Sequence, residues 1–387
     1  MPPCPAASPS PVPLFDTPRY SREFLEVFPG YVIHVEPTEL VKPMFYSLLT
    51  LLSLKEGYLT LYLAWFAYGS KGGMNRMAFR SVGIDLPHLR LEEVCGLAKD
   101  LQALKEAGPD FVEVWPHHLG VILGGSLDTA RLRSVRELLL ETDLAYTVHA
   151  PLEINLMDLT AHDFQRDVLN ASLRFANSIG AGVVVCHAGQ RVGSRDARYS
   201  LRQQLAAERL ALQEAGDLAG ELGITIAVEN YYPELPIISG AVYDYSVWLS
   251  ELAEQISAIA HPAVGICLDV GHAALAAGVL GFDYFEECAT VAPLVRHIHL
   301  HDNLGRVNIT GELPVSEHYV YGLGDLHLPP GRGTIPLKEM FWRVDFPENP
   351  MYCVELSPDL YSLAPEALQT ARELTEPVAT TWERAAL

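Results

Sequence analysis

The chain predicts an α/β fold, a closed (β/α)8 TIM barrel, and three observations carry that expectation. From Arg76 onward, eight short runs rich in Val, Ile, Cys and Ala alternate with amphipathic stretches. Continuous apolar runs of this kind suit parallel strands buried on both faces. His, Asp and Glu recur at the C-terminal ends of these runs, and a closed parallel barrel gathers those ends into one mouth. Finally, 387 residues accommodate a barrel of about 250 residues and an N-terminal extension, with no second domain required.

In chain order, the strands are expected at 77–84, 111–115, 145–149, 183–187, 224–229, 264–269, 295–301 and 351–356. Helical segments fall between them. The stretch 91–106 ends at Gly108, 127–141 is opened by Ser126 as its N-cap, and 163–179 ends at Gly180. The next, 201–222, ends at Gly223, and 242–260 stops before Pro262. Glycine and proline end helices because one tolerates the left-handed C-terminal conformation and the other cannot continue the ladder. Helices at 283–292, 337–344 and 365–373 complete the alternation. One βα connection, 302–334, is much longer than the others, and long loops in compact folds usually carry function.

Residues 1–73 do not share this regularity. The stretch 1–13 is Pro-rich and lacks the basic segment of a secretory signal. Two apolar stretches, 44–54 and 58–68, are split by Lys55-Glu56-Gly57. Each is about half the length that spans a bilayer, and joined they would place a charged pair near its centre. No membrane anchor is expected. The domain boundary is therefore drawn at 73/74, with the barrel over 74–387. The extension is read either as lying upstream of a true start at Met74 or Met77, or as an added lid or oligomerisation segment.

Acidic residues outnumber basic ones 48 to 27, for a formal charge of −21. Phosphate-rich partners call for a Lys/Arg surplus, so nucleic acid is not expected and a small-molecule substrate is. Oligomeric state is left open. Six cysteines stand singly, without a CxxC pair, as expected of reduced core thiols in a cytoplasmic protein.

The ionisable residues at the strand ends point to a metal. His149, His187, Glu229 and Asp269 close strands three to six, with His272 just beyond. His299 lies in strand seven, Asp325 and His327 in the long loop, and Glu355 at strand eight. Unpaired, so many buried carboxylates and imidazoles would cost several kcal/mol each, about what a bound cation removes. Mixed nitrogen and oxygen donors favour Zn, Mn, Fe or Co over Ca or Mg. His261, His297, His301 and His318 are read as hydrogen-bonded structural histidines.

The segments HAP (149–151), CLDVGHA (267–273), HIHLHDN (297–303) and GDLHLPPGRG (324–333) resemble the xylose isomerase-like, AP endonuclease family 2 superfamily. The resemblance covers roughly residues 77–375, and residues 1–73 have no counterpart in it. It implies a metal held by Glu229, Asp269, His299 and Glu355, the two glutamates forming the proton-transfer pair of a sugar isomerase or epimerase. It also implies, from the endonuclease IV branch, a second metal on His149, His187 and Glu229 and a third on His272, Asp325 and His327. One to three divalent metals per chain are thus expected.

Two reactions follow. The first is isomerisation or epimerisation of a sugar or sugar phosphate through an enediolate, with Trp115 as an apolar wall for the sugar. The second is phosphoester hydrolysis of a small substrate by a di- or trinuclear centre, with Arg332, Arg191 or Arg195 pairing the phosphate. The acidic chain inclines the reading to the first.

Overall fold

The computed structural model describes residues 47–55, 58–66, 80–86, 94–309, 315–346 and 349–376. The chain divides into two compact units, 1–75 and 76–387. In the first, Ser47–Lys55 and Tyr58–Phe66 pair antiparallel, from Ser47 opposite Phe66 to Lys55 opposite Tyr58. Within the two apolar stretches, the described residues are thus paired strands. No helix among the described residues is long and apolar enough to cross a membrane. The Pro-rich stretch, Met74, Met77 and Cys4 lie outside the described residues.

The second unit is built on eight parallel strands: β1 Val82–Asp85, β2 Phe111–Val114, β3 Ala145–His149, β4 Val183–His187, β5 Thr225–Glu229, β6 Val264–Asp269, β7 Val295–Leu300 and β8 Met351–Val354. Each pairs with its successor, and β8 pairs with β1 to close the barrel. All eight expected strands are present, the first over 82–85 with 77–79 outside the described residues.

Two-residue periodicity sorts each strand between bore and shell. Val183, Val185, Ala227 and Cys267 form a small apolar cluster inside. The intervening Val184, Cys186, Ile226, Val228, Ile266 and Leu268 pack outward into the main core. This alternation aims His187, Glu229 and Asp269 into the mouth and turns the Cys186 thiol away from it. Cys186, Cys267, Cys288 and Cys353 are all free and buried, as expected of reduced core thiols. At the floor, Phe111 fills the bore because strand β1 offers no side chain at Gly83. A Cβ there would lie 2.5 Å from the Phe111 ring.

The helices largely follow the expected punctuation. α1 Val94–Ala107, α2 Thr129–Leu140, α3 His162–Ile179 and α4 Leu201–Leu222 come first. α3 and α4 end at Gly180 and Gly223, both left-handed, and Ser200 and Gln203 form a capping box at the start of α4. Three differences have physical causes. Ser126 does not cap α2: Ser126–Leu127 pairs with Ile122–Leu123, and Asp128 accepts the first helical N–H groups instead. The expected helix over 242–260 shortens to α5 Leu249–Ile259, because Val242–Asp244 pairs with Gln190–Val192 above the rim. An unexpected helix, α6 Val270–Leu280, starts directly at the end of β6 and precedes α7 Tyr284–Val291. Its residues are apolar nearly all round, so no amphipathic period announced it. The long connection carries α8 Val315–Tyr321, followed by α9 Leu337–Arg343 and α10 Ala364–Thr375.

Gly83→Ala should cost about 1–3 kcal/mol by overpacking against Phe111. Urea unfolding measures this, and an unchanged midpoint would mean the ring has room to move.

Candidate metal centre

Strand register brings the expected residues to one level. His187 is paired across to Glu229, and Asp269 to His299. Glu229 is the hub. Its Oε2 lies 3.0 Å from His149 Nε2 and 3.4 Å from His187 Nε2, and its Oε1 lies 3.0 Å from His299 Nδ1. His299 Nδ1 is also 3.9 Å from Asp269 Oδ2 and 3.4 Å from Glu355 Oε1. Glu229, Asp269, His299 and Glu355 are all buried.

The loops contribute a second cluster beside it. Asp325 Oδ2 lies 2.6 Å from His327 Nε2 and 3.2 Å from His272 Nε2. His301, read from the sequence as a hydrogen-bonded structural histidine, joins this group: its Nε2 lies 3.1 Å from both Asp269 oxygens and 3.6 Å from Asp325 Oδ1. Its ring also stacks on His327, centroids 4.3 Å apart.

Local backbone chemistry explains these placements. Asp269 both faces the site and caps α6, accepting the His272 N–H at 2.6 Å, which anchors His272 in the helix's first turn. The glycine of DVGHA is required by close approach, since a Cβ at Gly271 would meet the His301 ring at 1.9 Å. Asn230 ties β5 to β6, accepting from the Asp269 N–H at 2.8 Å and donating to its carbonyl at 3.0 Å. The long loop is drawn back by Asp302. Its backbone forms a two-bond bridge with Leu328, and its carboxylate accepts N–H bonds from Asn303, Gly331 and Ile335. That clamp brings Asp325 and His327 to the mouth, with His327 held at φ +45°, a conformation non-glycine residues adopt only under constraint.

Hydrogen bonds also set the tautomers. His149 Nδ1 faces the Ala150 carbonyl at 2.7 Å, His272 Nδ1 the Asn230 carbonyl at 2.9 Å, and His299 Nε2 the Glu113 carboxylate at 3.0 Å. A carbonyl or carboxylate there requires an N–H, so in each neutral ring the other nitrogen is a lone pair. Those nitrogens point at carboxylate oxygens, a contact made favourable either by a second proton on the ring or by a cation between the two. Asp325 Oδ1 is buried without a hydrogen-bond partner. The donor set therefore fits a divalent metal: His149, Glu229 and His299, then Asp269, His272 and His301, then His301, Asp325 and His327, and also Glu113, His299 and Glu355, each place three donor atoms close enough to share an ion.

The electrostatics agree. Burial pushes the Glu229 carboxyl up, but His299, His149 and His187 outweigh it and hold the group well below the usual carboxylate range. Asp325 is held down likewise, by His327, His301 and His272 against burial. Burial, with Asp269 and Glu229 nearby, drives Glu355 well above the ordinary value despite His299 and His327. Burial lowers His187 to about 4, more than Glu229 opposes, leaving a neutral ring with a free donor pair.

The family model described as xylose isomerase-like TIM barrel matches residues 101–376. The chain belongs to this family. No curated protein matches it in sequence. Among solved structures, the barrel is similar to a D-tagatose 3-epimerase-like protein, with TM-score 0.56 and 18% identity over 76% of this chain and 98% of that one. A xylose isomerase-like TIM barrel protein from Mycobacterium smegmatis in complex with magnesium superposes with TM-score 0.56 and 16% identity, covering 76% and 96%. For the 3-keto-D-glucoside 4-epimerase of E. coli the values are 0.52 and 14%, covering 76% and 99%. These likenesses establish the shared barrel.

Within this xylose isomerase-like barrel, the remaining expectations divide. Trp115 stacks on His149, ring centroids 4.2 Å apart and planes 4° apart, and lines a cleft with Asp85, His318, Tyr319, Asp325, His327 and Leu356. Arg332 is not among those lining residues. It pairs with Glu366 on α10, both side chains about half exposed, because the PPGRG turn is spent wrapping Asp302. Arg191 donates to the Tyr199 carbonyl and Gln204, and Arg195 pairs with Asp196 and Asp158. His261 pairs with Asp217, as its structural reading expects. Two residues carry no sequence motif: Glu113, which sits inside an apolar strand run, and Asp85, which closes β1.

Asp302→Ala should destabilise the chain by about 2–4 kcal/mol, since it strands buried N–H groups. Chemical denaturation tests this, and wild-type stability would show that the turn holds itself.

Proposed function

We propose that the chain is a divalent-metal-dependent isomerase or epimerase of a sugar or sugar phosphate. The observation that carries the reading is the convergence of Glu229, Asp269 and Glu355 on the Nδ1 atom of His299. The four form a compact mixed nitrogen and oxygen set suited to Zn, Mn, Fe or Co. The epimerases among the proteins of similar structure support the same reaction class.

Glu229, Asp269, His299 and Glu355 would hold the metal, which when bound would supply the Lewis acidity that acidifies a sugar C–H next to a carbonyl. The chain's own groups do the rest. Glu229 and Glu355 enter from β5 and β8, strands separated by β6 and β7. One takes the proton from carbon, leaving an enediolate, and the other returns it from the opposite side. His187, neutral and at the mouth, and His272, held by Asn230, meet sugar hydroxyls. Trp115 keeps His149 in plane and presents its remaining edge to the cleft as an apolar wall. Burial of the carboxylates excludes bulk water, which strengthens every charge contact in the site.

A second reading, hydrolysis of a small phosphoester by two or three metals, draws on the groups around Glu229 Oε2 and Asp325. It is weakened because Arg191, Arg195 and Arg332, the expected phosphate partners, are engaged elsewhere.

Glu355→Gln should lower exchange of substrate C–H with solvent deuterium by roughly 10²–10⁴-fold, the usual worth of a general acid–base group. Proton NMR of candidate ketoses in D₂O reads this directly. Undiminished exchange would remove Glu355 from the proton-transfer pair.

A further inference from the structure

Glu113 stands on β2, in register with Asp85 on β1 and Thr147 on β3, and is completely buried. An uncompensated carboxylate at such depth costs several kcal/mol. Its neutralisation comes from across the bore. Oε1 lies 3.0 Å from His299 Nε2, and Oε2 accepts from the Thr147 hydroxyl at 2.8 Å and lies 3.0 Å from His297 Nε2. The two oxygens have different tasks. The partners of Oε2 hold the carboxylate still, and Oε1 is left on line with His299. His297 is itself braced by the Phe111 ring, centroids 5.9 Å apart, in the space that Gly83 leaves open.

We infer that Glu113 is the positioning residue of the metal centre: by accepting the Nε2 proton of His299 it commits that ring's Nδ1 lone pair to the space among Glu229, Asp269 and Glu355. This rests on the metal-dependent reading above. His149 and His272 are oriented by neighbouring backbone carbonyls. His299 instead takes a charged acceptor from three strands away around the barrel, and a carboxylate behind a ligating imidazole raises its basicity as well as fixing its tautomer. Glu113, His299 and Glu355 also place donor atoms close enough to share an ion, so metal stoichiometry is the readout that separates a support from a ligand.

The test compares Zn²⁺ binding by the wild type, Glu113→Gln and Glu113→Leu, using competition with a chelator for affinity and elemental analysis for stoichiometry. Both variants should keep the wild-type stoichiometry. The Leu variant should bind roughly ten- to a hundredfold more weakly, the usual cost of losing such a support. Gln, which keeps an acceptor but loses the charge, should fall between. Long-range ¹⁵N NMR of histidine-labelled, zinc-loaded wild type should show His299 protonated at Nε2, its signal identified by loss in His299→Gln. If Glu113→Leu does not fold, the Gln variant and Thr147→Val, which frees the carboxylate, carry the same comparison. Unchanged affinity in the variants overturns the inference, as does loss of one metal equivalent, which would make Glu113 a ligand. Zinc-loaded His299 carrying its proton on Nδ1 overturns it too. A wild-type chain that takes up no divalent cation is a distinct result: it removes the metal-dependent reading and this inference together.

Discussion

Negative charge packed into a space with little water is the constraint on which the rest of this molecule depends. Glu113, Glu229, Asp269 and Glu355 are all buried in or just beneath the barrel mouth, and none has a Lys or Arg within ion-pair distance among the described residues. Imidazoles are the counter-groups instead. A ring can balance a carboxylate only by carrying a proton or by lending its lone pair to a cation that sits between them. Carbonyls and Glu113 already occupy one nitrogen of His149, His272 and His299, so the proton or the cation would sit on the other nitrogen of each ring.

Several features with no chemistry of their own follow from that constraint. Gly271 is a glycine so that His301 can lie against the backbone at the start of α6. Asp302 spends its carboxylate on the backbone of the PPGRG turn, so the longest loop returns to the mouth with Asp325 and His327. Asp269 serves two masters, capping α6 and facing the site, which ties the position of His272 to the end of β6. Phe111, His297 and Glu113 fill the bore below the mouth, so the rim chemistry stands on a packed floor.

Much of this was legible in the sequence, for reasons of period and position. Parallel strands buried on both faces leave continuous apolar runs, and residues closing those runs share one end of the barrel. Hence His149, His187, Glu229, Asp269 and Glu355 were identifiable before any coordinates. The gaps have equally physical origins. Glu113 in FVEVW and His301 in HIHLHDN sit among residues with obvious packing or ligand roles, and only the closed barrel reveals what lies across the bore. α6 was hidden because it is apolar on all sides. Arg332 looked like a phosphate ligand because a glycine-rich turn with one arginine suits an anion. The carboxylate that organises the turn is Asp302, some thirty residues earlier in the chain.

The proposed function depends on a divalent cation completing the mouth. The direct measurement is elemental analysis of the full chain purified without chelator and without added metal. Close to one equivalent of a transition metal per chain is the predicted result, held by Glu229, Asp269, His299 and Glu355. A chain that carries no divalent metal, and whose unfolding midpoint does not move when Mn²⁺ or Zn²⁺ is supplied, would contradict it.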